Sequence, residues 1–226
     1  MVAYFEIFVF NGAVHAFFAL VFAGFSLWAK QPRRYSVATS AMFVALITAG
    51  VSVLLAAGAG TFVHAVDGRT MYLAEWLGYT LSLYFIGHSL AETLAPNASD
   101  AVHVHAGQAL ALVGAGGVAG LFIESSDLAA HWLLVLLIFV PYIFFAALIT
   151  VSRNADRTVA RGEAVHWLLV VFMVVTLVAY VGPYMLGDVM HTTSSVLGMD
   201  LERWFYLGGN LLTKIVLPSY EIYLTG

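Results

Sequence analysis

The stretch LERWFYLGGNLLTKIVLPSYEIYL, from Leu201 to Leu224, is mostly apolar and yet carries a lysine near its centre. A helix needs about 20 mostly apolar residues to cross the hydrocarbon core of a bilayer. A charge near the bilayer midplane costs at least about 2.5–3.5 kcal/mol, so a lysine at that depth is a functional candidate. The stretch therefore predicts a membrane-spanning helix that is built around Lys214.

The composition of the whole chain excludes most other classes of protein. Hydrophobic residues make up 62% of the 226 residues and charged residues 10%, against roughly 45–50% and about 25% in an ordinary globular protein. The charge is too sparse for a soluble surface, and the apolar content is too high for intrinsic disorder. A net charge of −4 argues against nucleic-acid binding, and the lack of cysteine excludes a disulfide framework or a thiolate metal site. An integral membrane protein remains.

Apolar stretches of spanning length occur along the entire chain. There are seven of them: Tyr4–Ala29, Val37–Ala59, Met71–Ala95, His105–Ile123, His131–Val151, Val165–Leu186 and Leu201–Leu224. The N-terminus has no basic segment or small-residue cleavage site, so we expect the first stretch to be a retained span. We predict an all-α fold, a seven-transmembrane-helix bundle that forms a single domain over residues 1–226.

The basic residues predict how this bundle is oriented. The first loop contains Lys30, Arg33 and Arg34, and the fifth contains Arg153, Arg157 and Arg161. Of the remaining basic residues, Arg69 and Arg203 are assigned to even-numbered loops. The positive-inside rule then places the odd-numbered loops and the C-terminus in the cytoplasm and the N-terminus outside the cell membrane.

The chemistry of Lys214 allows two interpretations. Burial disfavours the ammonium form, and a neutral amine is a nucleophile that can form a Schiff base with an aldehyde. The alternative is a lysine that reaches an interface with its flexible stem or pairs structurally with a carboxylate. The depth of Lys214 in its span favours the first interpretation.

Three segments resemble the microbial (type 1) rhodopsins, which are seven-helix proteins that bind retinal. The first, Asn210-Leu-Leu-Thr-Lys214, is similar to the Asp-x-x-x-Lys pattern of their last helix. The second, Tyr72-Leu-Ala-Glu75-Trp76-Leu, resembles their Arg-Tyr-x-Asp-Trp-Leu segment, and the third, Tyr180-Val-Gly-Pro-Tyr184, resembles the stretch that walls the chromophore. A third-helix glutamate also occurs in the heliorhodopsin branch, but its cytoplasmic N-terminus disagrees with the charge distribution here.

The resemblance implies all-trans retinal bound covalently to Lys214. It also implies that Trp76, Tyr180 and Tyr184 surround the polyene, and that Gly117 lies near its ring. Gly117 belongs to the cluster Gly114-Ala-Gly-Gly117, which could instead serve close helix packing.

The same resemblance assigns the ionisable and polar groups. Glu75 matches the counterion and proton acceptor, whereas Glu6 and Glu92, the other acidic residues noted inside or near the ends of spans, match no such position. A one-turn shift in the alignment would instead match Glu75 to the family's arginine and Gly78 to its counterion. Asn210, one helical turn before Lys214, stands where the family usually has a second carboxylate and is expected to hydrogen-bond near the Schiff base.

The proton pathway is incomplete by the standard of the family's outward pumps. Ile86 occupies the position of their cytoplasmic donor, and Tyr72 stands in place of their arginine. His88 is a candidate cytoplasmic relay, or an interfacial histidine. Glu202 matches a proton-release glutamate, although its neighbour Arg203 also suggests an ordinary surface ion pair.

These residues predict light-driven proton translocation rather than an enzyme. The alternative is a photosensory receptor with a slow photocycle and no net transport, which Asn210, Ile86 and the missing arginine favour. A retinal-free transporter or a haem protein is a third class, for which His15 is the histidine near mid-membrane. Expected partners are the lipid bilayer and copies of the chain in a trimer or pentamer, with a signal transducer as a further candidate, but no nucleic acid.

Overall fold

The computed structural model describes residues 5–66, 68, 70–124, 126–155, 163–176, 178 and 198–225. Six helices come first: α1 Phe5–Trp28, α2 Pro32–Ala56, α3 Leu73–Leu94, α4 Asp100–Gly120, α5 Leu128–Ala155 and α6 Glu163–Thr176. Two short antiparallel strands, β1 Phe62–Val63 and β2 Thr70–Met71, form a hairpin between α2 and α3. The all-α, seven-helix prediction is confirmed, with this hairpin as a small addition.

The last helix is built from three consecutive segments. These are α7 Gly198–Leu211, a π-helical segment Leu212–Val216 and α8 Leu217–Leu224. Leu211 and Leu217, at the two junctions, both have right-handed helical dihedral angles, so the chain continues as one rod, here called the seventh helix. Pro218 has no N–H to donate to the carbonyl of Lys214, and a regular α-helical ladder is therefore impossible at this turn. The wider π-helical turn lies where that ladder is interrupted.

The first five helices pack in chain order, and the seventh helix lies against α2, α3 and α6. Each of α1 to α4 packs against the next, and segments of the seventh helix contact both α2 and α3. Leu90 of α3, Leu110 of α4, Phe145 of α5 and Phe172 of α6 meet in the largest buried cluster. The interface between α3 and the seventh helix therefore lies inside the bundle, where side chains are withdrawn from solvent.

The outer surface is apolar, as expected for an integral membrane protein. Leu20, Leu27, Leu136 and Val151 are among the many large hydrophobic side chains that point outward. Within the described part of the chain, α1, α2, α4 and most of α5 are long and apolar enough to cross a membrane by length and composition alone. Such an exposed apolar surface is stable in lipid, whereas a soluble protein rarely exposes large contiguous apolar patches.

Candidate functional site

Lys214 lies in the π-helical segment and is only 3% exposed. Its Nζ atom is 4.3 Å from the centroid of the Tyr79 ring on α3. Because the side chain projects from the seventh helix towards α3, the amine is enclosed by protein rather than directed to an interface. This placement disagrees with the alternative of a lysine that reaches water.

An apolar cavity extends from Lys214 between α3, α4, α5 and α6. Its wall is formed by Trp76, Tyr79, Leu83, Ile86, Val113, Gly114, Gly117, Val135, Ile138, Phe139, Tyr142, Phe172, Thr176, Thr213 and Lys214. The sequence-predicted residues Trp76 and Gly117 are therefore brought together with Lys214, while Tyr180 and Tyr184 lie outside the described residues. Phe139, Tyr142 and Phe172 were missed, since aromatic side chains in α5 and α6 carry no motif.

The two ends of the glycine cluster on α4 have different roles. A Cβ atom on Gly114 would lie 2.6 Å from the Cα atom of Thr80, so this glycine permits close packing of α4 on α3. A Cβ atom on Gly117 would overlap the indole ring of Trp76. Gly117 therefore makes room for Trp76 beside the cavity, and the packing and pocket interpretations both describe part of this cluster.

Glu75 is a buried carboxylate in the first turn of α3, with 8% of its surface exposed. The hydroxyl of Tyr79 donates a hydrogen bond to its Oε1 atom at 2.8 Å. Together with Gly78, Asn210 and Lys214, Glu75 borders a second, smaller cavity. The carboxylate, the amide and the amine thus face one enclosed space, and Glu75 is not a solvated surface group.

Arg203 differs from its sequence assignment. It lies in α7 rather than in an outer loop, is 5% exposed, and donates from Nη1 to Oε2 of Glu75 at 2.6 Å. Its guanidinium also stacks over the ring of Tyr72 at 3.9 Å. The expected surface pair with Glu202 is therefore wrong for Arg203, because this side chain pairs with Glu75; the side chain of Glu202 lies outside the described residues, although its backbone is part of α7.

This ion pair changes the interpretation of Tyr72. The sequence comparison found no arginine beside the counterion on α3, whereas the structure supplies one from the seventh helix. The sequence did indicate that Arg203, Asn210 and Lys214 lie on one face of a helix, because they are seven and four residues apart. The partner of Arg203 is 128 positions away along the chain, and spacing alone does not identify it.

His15 on α1 is fully buried near this group. Its Nδ1 atom is 2.8 Å from the backbone carbonyl of Asn11, one turn earlier in the same helix. The Asn11 amide in turn donates to the hydroxyl of Ser52 on α2 at 2.8 Å. These contacts join α1 to α2 and are those of a structural histidine.

A second polar group lies at the far end of α3. The Nδ1 atom of His88 is 3.7 Å from Oε2 of Glu92, which lies one turn further along α3. The centroid of the His88 ring is 6.0 Å from the centroid of the His103 ring on α4. The hydroxyl of the neighbouring Ser89 donates to Oε2 of Glu221 in α8. Glu221 is 1% exposed and was missed by the sequence analysis, although it follows Lys214 by seven residues.

Solved structures with the same fold are microbial rhodopsins. Schizorhodopsin 4 is 19% identical with a TM-score of 0.74, over 97% of this chain and 98% of that one. The light-driven proton pump LR (Mac) from Leptosphaeria maculans is 16% identical with a TM-score of 0.74, over 97% and 92%. Bromide-bound halorhodopsin from Halobacterium salinarum is 16% identical with a TM-score of 0.78, over 96% and 91%.

The comparisons define the class of the fold. No protein-family model and no curated protein matches the sequence. The chain therefore has the seven-helix fold of the microbial rhodopsins at low sequence identity, and the resemblance predicted from Lys214 and its neighbours is confirmed at the level of the fold.

Proposed function

We propose that this protein is a light-activated retinal protein, a divergent microbial rhodopsin of the cell membrane whose activity is light-driven proton translocation. The observation that carries the proposal is the position of Lys214. Its buried amine borders an apolar cavity on one side and a small cavity with Glu75 and Asn210 on the other. An amine between an apolar pocket and a carboxylate suits an apolar aldehyde that becomes cationic when linked to it.

The residues around the apolar cavity fit a retinal molecule. A polyene needs an enclosed surface of aromatic and aliphatic groups, and Trp76, Phe139, Tyr142 and Phe172 provide aromatic side chains there. When bound, retinal supplies the absorption of visible light and, through its Schiff base with Lys214, a proton on Nζ that isomerisation makes available for transfer. Tyr180 and Tyr184 belong to the same proposed binding site on the strength of the sequence resemblance.

Glu75 is the group that compensates the cation and then accepts the proton. An ionised carboxylate stabilises a nearby buried cation, which would otherwise be costly to bury. The Tyr79 hydroxyl and the Arg203 guanidinium fix the two oxygens of Glu75. Asn210 can donate or accept hydrogen bonds beside Lys214 but carries no charge, so Glu75 is the proposed acceptor.

The first experiment tests the chromophore. The full chain, expressed with all-trans retinal, should show a visible absorption band that hydroxylamine bleaches, and the band should be absent from Lys214→Ala. Arg153→Ala, a change outside the site, should retain the band. A wild-type protein with no visible band, or an unchanged band in Lys214→Ala, would contradict the proposal.

The second experiment separates proton translocation from photosensing. Illuminated cells should show a change of external pH that a protonophore abolishes. A stable pigment with a light-induced spectral change but no pH change would favour the photosensory alternative, which the neutral side chains of Asn210 and Ile86 support. A transducer, and assembly of the chain into trimers or pentamers, are further parts of the proposal.

A further inference from the structure

We infer that Tyr79 is a cation-binding residue of the site, which holds the resting proton on Nζ of Lys214 by contacting both the amine and Glu75. The inference rests on the proposed function and adds a residue to it. The face of the phenol ring stabilises the cation on Nζ, and the hydroxyl group of the same side chain stabilises the carboxylate of Glu75.

The first argument is the contact that the amine makes. The Nζ atom of Lys214 is 4.3 Å from the centroid of the Tyr79 ring. Among the described residues, Nζ has no hydrogen bond and no salt bridge, so the group that meets it is this aromatic ring. A cation within about 6 Å of the centroid of an aromatic ring is attracted by the negative face of the π system, most strongly where water is excluded. Lys214 is 3% exposed and Tyr79 is 5% exposed, so this contact is shielded from solvent.

The second argument is the way in which Glu75 is held. Its Oε1 atom accepts a hydrogen bond from the Tyr79 hydroxyl at 2.8 Å, and its Oε2 atom accepts one from Arg203 at 2.6 Å. Both oxygen atoms therefore have other partners, and Glu75 acts on Nζ across the small cavity that the two residues border. Tyr79 lies in the wall of both cavities and is the side chain that contacts the amine and the carboxylate alike.

The two contacts of Tyr79 favour the same location of the proton. The attraction between the ring and Nζ acts when the amine is charged. The hydrogen bond to Oε1 is stronger when Glu75 is ionised, since hydrogen bonds to charged groups are the stronger ones. A proton on Nζ leaves both groups charged, whereas a proton on Glu75 leaves both neutral. Transfer breaks an N–H bond on Nζ and forms an O–H bond on Glu75 without any further reactant, and Tyr79 stabilises the state before transfer.

Other charged or titratable groups surround Lys214 in the described part of the chain. They come from four elements: His15 of α1, Glu75 and Tyr79 of α3, Tyr142 of α5 and Arg203 of the seventh helix. The Nδ1 atom of His15 meets the carbonyl of Asn11, and the hydroxyl of Tyr142 donates to the carbonyl of Met173. The residues that α2 and α6 contribute to the cavity walls are neutral. Tyr79 is therefore the side chain whose replacement should act on Nζ and Glu75 together.

The first test separates the ring from the hydroxyl by titrating the visible absorption band of the pigment. Tyr79→Phe keeps the ring and should lower the pH at which half of the band is replaced by a near-ultraviolet band by about one unit, the scale of one hydrogen bond to a charged group. Tyr79→Leu removes the ring as well and should lower this midpoint by about two units. Equal midpoints in the wild type and both variants would overturn the inference.

Tyr84 supplies the matched control. It is an aromatic residue of the same helix whose ring lies beside Gly107 of α4 instead of Lys214. Tyr84→Phe and Tyr84→Leu make the same chemical changes five positions away and should leave the midpoint unchanged. Midpoints that move equally in the Tyr84 and Tyr79 series would mean that the effect does not come from the contact with Nζ.

A variant of unchanged shape tests the ring itself. Trifluorophenylalanine incorporated at position 79 has nearly the size of phenylalanine, but its fluorine atoms withdraw electrons from the face of the ring. The midpoint should fall by a further half unit or so relative to Tyr79→Phe, roughly the loss of a weakened cation–π contact. This comparison decides the question if Tyr79→Leu fails to fold, and equal midpoints for the two rings would contradict the contact between the ring and the cation.

A measurement without retinal separates this inference from the function on which it rests. A small aldehyde with cyanoborohydride alkylates neutral amines, and the pH of half-maximal labelling of Lys214 in the purified full chain should be lower in Tyr79→Leu than in the wild type. Lys30, the other lysine of the sequence, is exposed and should label equally in both proteins. A wild-type chain without a visible band contradicts the proposed function, while Lys214 labelling still reports on Tyr79. A normal pigment with equal midpoints and equal Lys214 labelling contradicts the role of Tyr79 alone.

Discussion

The interface between α3 and the seventh helix has two ends that solve the burial of a carboxyl group differently. At one end Glu75 of α3 is paired with Arg203 of the seventh helix and accepts a second hydrogen bond from Tyr79. At the other end Glu221 of the seventh helix accepts a hydrogen bond from Ser89 of α3. The first carboxyl group, at what is here called the charged end, is paired with a buried cation. The second, at the neutral end, is held by a hydroxyl group and has no salt bridge among the described residues. The two ends therefore differ in the kind of partner that their buried carboxyl groups have.

The largest effect is expected from breaking the charged end. Glu75→Gln leaves the guanidinium of Arg203 buried without its anion, and removal of one partner of a buried ion pair destabilises a protein by about 3–5 kcal/mol. The same change removes the proposed counterion, so the absorption maximum should move strongly to the red, or the pigment should lose its proton near neutral pH. Thermal unfolding and pH-resolved absorption spectra measure both effects.

A double variant provides the control for that prediction. In Glu75→Gln/Arg203→Gln neither member of this ion pair is left buried without the other, and the loss of stability should be clearly smaller than the sum of the two single losses. Additive losses would mean that the two side chains do not interact, and an unchanged spectrum in Glu75→Gln would mean that the alignment of α3 with the family is wrong.

A smaller effect is expected in the apolar cavity that lies beside the charged end. Gly117→Ala inserts a methyl group into the ring of Trp76 and should destabilise the pigment by about 1–3 kcal/mol, as overpacking of a core does. Gly24→Ala is the matched control, because a Cβ atom there meets no described atom within 4 Å. Equal unfolding temperatures for the two variants would contradict the assigned contact between Gly117 and Trp76.

The smallest effect is expected at the neutral end. Ser89→Ala removes one hydrogen bond to Glu221 and should lower the free energy of unfolding by about 0.5–1.5 kcal/mol, the net worth of such a bond. Thermal unfolding of Ser89→Ala and Glu75→Gln measures which end of the interface contributes more to the stability of the pigment. A loss at the Ser89 end that equals or exceeds the loss at the Glu75 end would reverse the comparison.

Hydropathy predicted the number and type of the helices because each span must be long and apolar enough to cross a bilayer. The predicted ends of the spans differ from the observed ends of the helices mainly where a helix continues into a polar turn. The second span was predicted to begin at Val37, whereas α2 begins at Pro32 and includes Arg33 and Arg34. A proline suits the first helical turn, which needs no N–H donor at that point, and the arginines are helical without being apolar.

The candidate site was predictable in part. Lys214 could be identified from the sequence because a charge is rare at that depth in a membrane-spanning helix. Glu75 and Trp76 could be identified because they match a family motif. Arg203 and Glu221 were missed because each lies near the end of its span, where a charged residue is usually solvated. Their partners, Glu75 and Ser89, are 128 and 132 residues away, and only the folded chain brings them together.

The π-helical turn at Leu212–Val216 changes the number of residues per turn within the seventh helix. A π-turn holds one residue more than an α-turn, so it rotates everything beyond it relative to everything before it. Glu221, which lies beyond the turn, is therefore offset by about 100°, one α-helical step, from the position that a plain α-helical count from Arg203 predicts. Alignments that count outward from Lys214 in plain α-helical steps will reach the wrong position on one side of it.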